Sequence, residues 1–347
     1  MSAGNRSASL EHRVSVAPMM DWTDRHCRYF LRGFSPRVLL YTEMITCAAI
    51  LRGDRQRLLG FDSQEHPLAL QLGGSDPAQL AEAARIGEQA GYDEINLNCG
   101  CPSDRVSAGA FGACLMAQPQ LVAECVAAMR AVVRVPVTVK LRIGVVEAGR
   151  REAMAAAGAE YTDDDFARLL AFAQAVRAAG ADALIVHARK AVLGGLSPKD
   201  NREVPPLRFD VVRRLGGELP GVPLVLNGGL RTAQAAAGPL EWCDGVMLGR
   251  EAYHRPHVLA ELHALAWPDD GWRAPSRLEL AQRMVDYAAR ELGAGVRLSA
   301  IARHTLGLYA HEPGAREFRR RLSEGAREPG ASPSLFVAAA RRAERLL

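Results

Sequence analysis

Short apolar runs alternate with amphipathic stretches along most of the chain. The runs are VSVAPM (14–19), VLLYTEM (38–44), LALQLGG (68–74), EINLNCG (94–100), VPVTVKLRIG (135–144), ALIVHARK (183–190), PLVLNGG (223–229) and GVMLGR (245–250). Each is followed by a polar–apolar pattern of helical period, for example over residues 76–92 and 163–180. Gly91 and Gly180 stand just before the next run, where glycine ends a helix. Strands that are apolar on both faces belong in a parallel sheet covered by helices. Eight such units predict an α/β fold, the TIM (β/α)8 barrel. A doubly wound sheet is the alternative, but no G-x-G-x-x-G follows the first run.

The flanks read differently. Residues 1–13 (MSAGNRSASLEHR) have no apolar core, so they form no secretory signal and read as a flexible tail. The barrel is expected over 14–265, and AWPDDGWRAPS (266–276) is a linker by composition. Residues 275–347 carry amphipathic helical patterns broken at Pro313-Gly314 and Glu328-Pro329-Gly330, which predicts a small all-helical C-terminal domain.

Charge separates the same two parts. Residues 275–347 hold 13 Arg against 8 Asp and Glu, whereas residues 1–274 hold 30 basic and 31 acidic side chains. A near-neutral body with a basic helical end suits a polyanionic partner, although charged helix faces are more often simply solvated. Hydrophobic residues at 48% and charged ones at 24% exclude a disordered chain, and no apolar run is long enough to span a membrane. Seven cysteines, an odd number in a long chain without a signal, read as reduced thiols in a cytoplasmic protein. Only three of the 43 basic residues are lysines, Lys140, Lys190 and Lys199.

Polar residues gather at the C-terminal ends of the eight runs: Pro18-Met19-Met20, Glu43, Gln71, Asn96 and Asn98, Lys140 and Arg142, His187 and Arg189, Asn227-Gly228-Gly229, and Gly249-Arg250. In a TIM barrel that rim carries the chemistry, and polar groups are costly in a barrel core unless they serve a purpose. The glycines after the seventh and eighth runs, with Arg250, suit a phosphate; tight turns are the plainer alternative. Gln71, Lys140 and His187 could bond the polar edge of an isoalloxazine ring, which favours a flavin. Cys101 precedes Pro102 in a rim loop, where a thiol can act as acid or nucleophile. Cys99 and Cys101 lack the paired ligands of a zinc site, so no metal is expected. His26, His66 and His304 stand singly and read as packing or surface residues.

In these residues the chain resembles the tRNA-dihydrouridine synthases, in particular their A subfamily. The resemblance rests on VAPMMDWTDRHCRYF, LYTEM, LALQLGGSDP, GYDEINLNCGCPSDRVSAGAFGACLM, VPVTVKLRIG, LIVHARKAVLGGLSPKDNREVPPL, LVLNGGL, GVMLGR and RHTLGLYAHEPGAREFRRRLSEGA, over about residues 14–326. It implies an FMN-binding barrel with a tRNA-binding helical domain, and NADPH-dependent reduction of the uridine C5–C6 bond in the D-loop, around positions 20 and 20a. Hydride would pass from flavin N5 to C6, and Cys101 would protonate C5. By motif, Pro18, Met19, Met20, Gln71, Lys140 and His187 would contact the flavin, and Asn227, Gly228, Gly229, Gly249 and Arg250 its phosphate. Asn98 and Arg142 would hold the uracil, while Lys199, Arg202, Arg316 and Arg319 would touch the tRNA. No obligate protein partner is implied. Two departures stand out: residues 145–165 are longer than the family pattern, and Cys99 replaces an apolar residue, which puts a second sulfur near Cys101 that oxidation could join to it.

Overall fold

The computed structural model describes residues 10–103 and 111–346. Residues 1–9 of the expected tail, residues 104–110 (with Asp104, Arg105 and Val106 of GCPSDRV) and Leu347 lie outside the described residues.

All eight expected strands form: β1 (Val14–Val16), β2 (Leu39–Tyr41), β3 (Leu68–Gly73), β4 (Glu94–Cys99), β5 (Val137–Arg142), β6 (Ala183–His187), β7 (Leu224–Asn227) and β8 (Gly245–Leu248). Each pairs in parallel with its neighbours, and β8 returns to β1, so the sheet closes. Closure excludes the doubly wound alternative. The helices begin and end where the sequence signals fall. Asp76 caps Pro77–Ala90, Thr162 and Asp165 form a capping box for Asp163–Ala178, and Gly91 and Gly180 take φ of +101° and +97°.

The barrel interior has two chemically distinct sides. Ala17, Leu39, Tyr41, Ala69, Ile185, Val225 and Met247 make an apolar cluster inside it. Glu94, Gln71, Asn96, Asn98, Thr138, Lys140 and Arg142 project from β3, β4 and β5 at alternate positions. The base is stoppered by residues that looked like tail. Leu10 packs on the interior apolar cluster, His12 Nε2 meets Glu94 Oε2 at 2.6 Å, and Arg13 donates to the Leu240 carbonyl at 3.0 Å. Gly245 allows this approach, since a Cβ there would lie 1.9 Å from the His12 carbonyl oxygen.

The long segment after β5 is folded. Val145–Glu147 pairs in parallel with Ala191–Leu193 after β6, and the short helix Ala153–Gly158 buries Ala153 and Ala157 against Val192. Asn201 pins this ribbon: its Oδ1 accepts from Val192 N at 2.7 Å and its Nδ2 donates to Val192 O at 2.8 Å. The extra length of residues 145–165 thus folds as a small subdomain beside the barrel mouth.

The C-terminal helices Arg277–Gly293, Leu298–Ala302, Ala315–Gly325 and Leu335–Glu344 share one hydrophobic core with the barrel's outer layer. Tyr287 stacks on Tyr29 at 4.0 Å and takes a 2.6 Å hydrogen bond with His26 Nδ1. His304, fully buried, meets Asp24 Oδ2 at 3.0 Å, and Arg303 reaches the same oxygen at 3.0 Å. His26 and His304 are thus packing residues at the seam between barrel and helices, whereas His66 is half-buried and pairs with Asp93 at 2.6 Å. No helix among the described residues is long and apolar enough to cross a membrane.

Candidate active site

Cys101 opens the loop after β4 and is held from three directions. Its backbone N–H and that of Gly100 donate to Asn98 Oδ1 at 3.0 and 3.1 Å. Its carbonyl accepts from Ala113 N at 2.9 Å. Arg142 Nε donates to the Gly100 carbonyl at 3.1 Å, and Arg142 Nη1 donates to the Asn201 carbonyl at 2.9 Å. Arg142 is therefore a brace that ties the Cys101 loop to the segment 199–203. It keeps Nη2 uncommitted among the described residues, and Asn98, whose Nδ2 donates to Gln71 Oε1 at 2.7 Å, keeps one Nδ2 hydrogen.

Cys99 belongs to the opposite face. Strand alternation sends it into the outer core beside Cys125 and Cys114, where burial pushes its thiol well above the ordinary range. Both Cys99 and Cys101 are free. The strand ends at Cys99, so alternation does not extend to Cys101, whose direction is set by the loop that Asn98 and Arg142 hold.

Cations crowd the mouth. Register sets Arg142 beside His187, and His187 beside Asn227. Lys140 Nζ crosses to Asn227 Oδ1 at 3.0 Å, and Asn227 Nδ2 donates to the Met247 carbonyl at 2.7 Å. Burial, then the neighbouring Arg142 charge, brings Lys140 down to about 7. The same burial, with Arg202 and Arg189 nearby, brings Arg142 down to about 9, and it keeps His187 well below the usual imidazole range. Across the mouth Arg250 pairs with Glu203 at 2.5 Å, and Arg189 Nη1 donates to the carbonyls of Glu203 and Pro205 while its buried Nε has no partner.

The backbone next to these cations turns tightly against the protein's own side chains. Gly228 and Gly229 take φ of +111° and +71°, and a Cβ on Gly228 would fall 2.5 Å from the His187 ring. An orphaned guanidinium nitrogen beside a left-handed glycine turn fits a phosphate, and the largely desolvated lysine fits a polar acceptor of the same ligand.

Most of the expected residues converge here: Gln71, Asn98, Cys101, Lys140, Arg142, His187, Arg202, Asn227, Gly228, Gly229 and Arg250. Met19 lies by Gly249, its sulfur 3.6 Å from where a Cβ would stand. Pro18 and Met20 share that first rim loop, but Met20 is 57% exposed. The loop is stapled by Trp22, stacked on Tyr253 at 4.5 Å, and by Thr23, whose hydroxyl accepts from Met19 N at 2.9 Å. Lys199 is exposed on the segment that Arg142 braces. Arg316 and Arg319 stand apart, exposed on the helix Ala315–Gly325. Among the described residues neither is ion-paired, whereas Arg320 and Arg321 are taken up by Glu317. Sequence reasoning gave no role to Arg189, whose buried Nε faces the mouth without a partner among the described residues, and it missed Glu94, Thr138 and His12 beneath the site.

Comparison with known proteins agrees with this arrangement. A family model described as dihydrouridine synthase (Dus) matches residues 15–344. The chain is 54% identical to the tRNA-dihydrouridine(20/20a) synthase of Xanthomonas campestris pv. campestris, over 96% of this chain and 94% of that one. It is 52% identical to the protein of that name from Pseudomonas aeruginosa, over 92% and 91% of the two chains. For Vibrio cholerae the figures are 48%, 92% and 93%. A family match across nearly the whole length, on a closed barrel with its polar residues at the expected rim, means that the chain belongs to the dihydrouridine synthase family.

Proposed function

We propose that this protein is an FMN-dependent tRNA-dihydrouridine synthase that uses NADPH to reduce the C5–C6 double bond of uridine in the tRNA D-loop, around positions 20 and 20a. The observation that carries the reading is Cys101, fixed on the rim within the field of Lys140, Arg142 and Arg202. Relatives named for the same modification support it.

Lys140, His187, Gln71 and Met19 would hold the flavin ring and ribityl chain, and Asn227, Gly228, Gly229, Gly249 and Arg250, with Arg189, its phosphate. The bound flavin supplies the hydride that goes to uracil C6. Negative charge then grows on C5 and O4, and an acid must complete the reduction. Cys101 gives its thiol proton to C5, and the cations around it accommodate the thiolate left behind. The uncommitted Arg142 Nη2 and Asn98 Nδ2 hydrogens would hold the uracil edge. Reaching them requires the base to leave its stack, which costs least in a loop. Lys199 and Arg202 at the rim, and Arg316 and Arg319 on the helical domain, would contact the RNA, those that meet phosphate positioning it without reading bases.

The test is mass spectrometry of tRNA from cells lacking the protein. Dihydrouridine should fall at the D-loop position and return when the protein is restored; an unchanged level would overturn the reading.

Cofactor affinity carries a pH signature. Burial brings Lys140 down to about 7 in the free protein, and flavin acceptor atoms hydrogen-bonded to its charged form would raise that value. Binding is then strongest while Lys140 is charged in the free protein, and weakens as pH rises through about 7 toward the raised value. In titrations of FMN-free protein between about pH 7 and 9, above the second phosphate ionisation near ~6, affinity should fall with pH. Lys140→Met should bind more weakly and flatten the slope. A wild-type slope that matches the variant's would remove Lys140 from the cofactor site.

A further inference from the structure

The polar side of the barrel contains one continuous run of hydrogen bonds, and its sense is forced. At the base Glu94 Oε1 accepts from the hydroxyls of Tyr41 at 2.6 Å and Thr138 at 2.5 Å, and Oε2 meets His12 Nε2 at 2.6 Å. Burial holds the Tyr41 phenol well above its usual range, so it keeps its proton. Burial opposes a charge on His12, but the combined pull of Glu94, Asp182 and Asp244 wins and raises it, so it too donates.

A carboxylate in this setting only accepts. The single Thr138 proton is spent on Glu94, so Thr138 can only accept from Asn96 Nδ2, at 2.8 Å. That turns Asn96 Oδ1 toward Gln71, whose Nε2 donates at 2.8 Å. Gln71 Oε1 takes Asn98 Nδ2, which leaves Asn98 Oδ1 for the backbone N–H groups of Gly100 and Cys101. A carboxylate closes one end, backbone donors close the other, and reversing any amide between them faces donor with donor.

We propose that Glu94 is a positioning residue for Cys101: from the base of the barrel it sets the direction of a one-way hydrogen-bond chain through Thr138, Asn96, Gln71 and Asn98 that fixes the backbone of the cysteine loop. The proposal rests on the reading of Cys101 as the acid that protonates C5. The same chain orients Gln71 and Asn98, so two groups at the mouth take their polarity from a buried charge they do not touch.

Thr138 is the place to cut it. In Thr138→Val the Asn96 Nδ2 group faces a methyl, and an orphaned buried N–H is less tolerable than an under-satisfied carbonyl. Turning the three amides over relieves the base and moves the conflict to the mouth, where Asn98 Nδ2 then opposes the Cys101 N–H. The loop gives way there, because water can satisfy it.

The experiment compares wild type, Thr138→Val and Thr138→Ser as full-length, FMN-loaded proteins. Amide hydrogen exchange at Gly100 and Cys101 is measured beside flavin reduction by NADPH and dihydrouridine formation on tRNA. In the valine variant exchange at Cys101 should be at least about ten-fold faster and dihydrouridine formation about 10–100-fold slower, since small misplacements of a reacting group have effects of that size. Flavin reduction should fall far less than dihydrouridine formation, because only the turned Gln71 amide reaches the flavin, and serine should restore all three. Wild-type exchange at Cys101 in the valine variant, or faster exchange with normal turnover, would overturn the proposal. An equal loss in both half-reactions would mean general damage to the barrel and would overturn it as well. Absence of dihydrouridine with wild-type protein would instead sink the functional reading, and the exchange result would show this independently.

Discussion

Cys101→Ala is expected to lower dihydrouridine formation by about 100- to 10,000-fold, the range for loss of a positioned acid, while FMN and tRNA binding stay near wild type. The structure gives a reason to expect so clean a separation. The loop is held through backbone groups and through Arg142, none of which involves the sulfur. Removing the thiol therefore leaves Asn98, Arg142 and Lys140 where they are. Reduction of the flavin by NADPH should proceed at its normal rate and stall at transfer to the RNA. Cys101→Ser should recover little, because a hydroxyl is a far weaker acid than a thiol. Normal dihydrouridine yield from the alanine variant, measured in single turnover, would remove Cys101 as the proton donor.

Glu65→Ala should destabilise the protein by about 3–5 kcal/mol, the usual result of stripping one partner from a buried ion pair. Glu65 is fully buried, and its Oε2 accepts from Arg28 Nε at 2.6 Å. Arg28 Nη1 also donates to the Thr23 carbonyl at 2.8 Å, and Thr23 in turn holds Met19. Losing Glu65 strands a buried guanidinium and slackens the rim loop that bears Pro18, Met19 and Met20. The urea midpoint should fall sharply and FMN should dissociate faster. Replacing the pair together, Arg28→Met with Glu65→Leu, should recover most of the stability and less of the FMN retention, since apolar groups can fill the space but cannot hold Thr23. An unchanged midpoint in the single variant would show that the pair contributes nothing.

The two variants probe layers that differ in how visible they were beforehand. Gln71, Asn98, Lys140 and Arg142 were legible because a polar residue at a strand's C-terminal end, two positions from the next, has few reasons to be there other than the rim. Their uses were less legible. Arg142 looked like a ligand for the base, and two of its three nitrogens prove to be braces on backbone carbonyls. Cys99 looked like a partner for Cys101 because two-residue spacing puts neighbours on one face, but the strand ends at Cys99 and the loop turns Cys101 to the mouth. Residues 10–13 looked like tail because four residues without periodicity carry no local signal; only the barrel's base gives Leu10 and His12 something to pack on.

Local pattern is enough to specify the eight strands, the helix ends and the list of rim residues, because each follows from burial repeated at a fixed period and from caps a few residues away. It also separates a near-neutral barrel from a basic helical end. Closure of the sheet and docking of the helices decided the rest. Closure brought His12 to Glu94 across 82 residues and Lys140 to Asn227 across 87, and docking brought Asp24 to His304 across 280. Hydrogen-bond direction depends on which donor meets which acceptor, and those meetings exist only once the barrel is closed and the helices are docked.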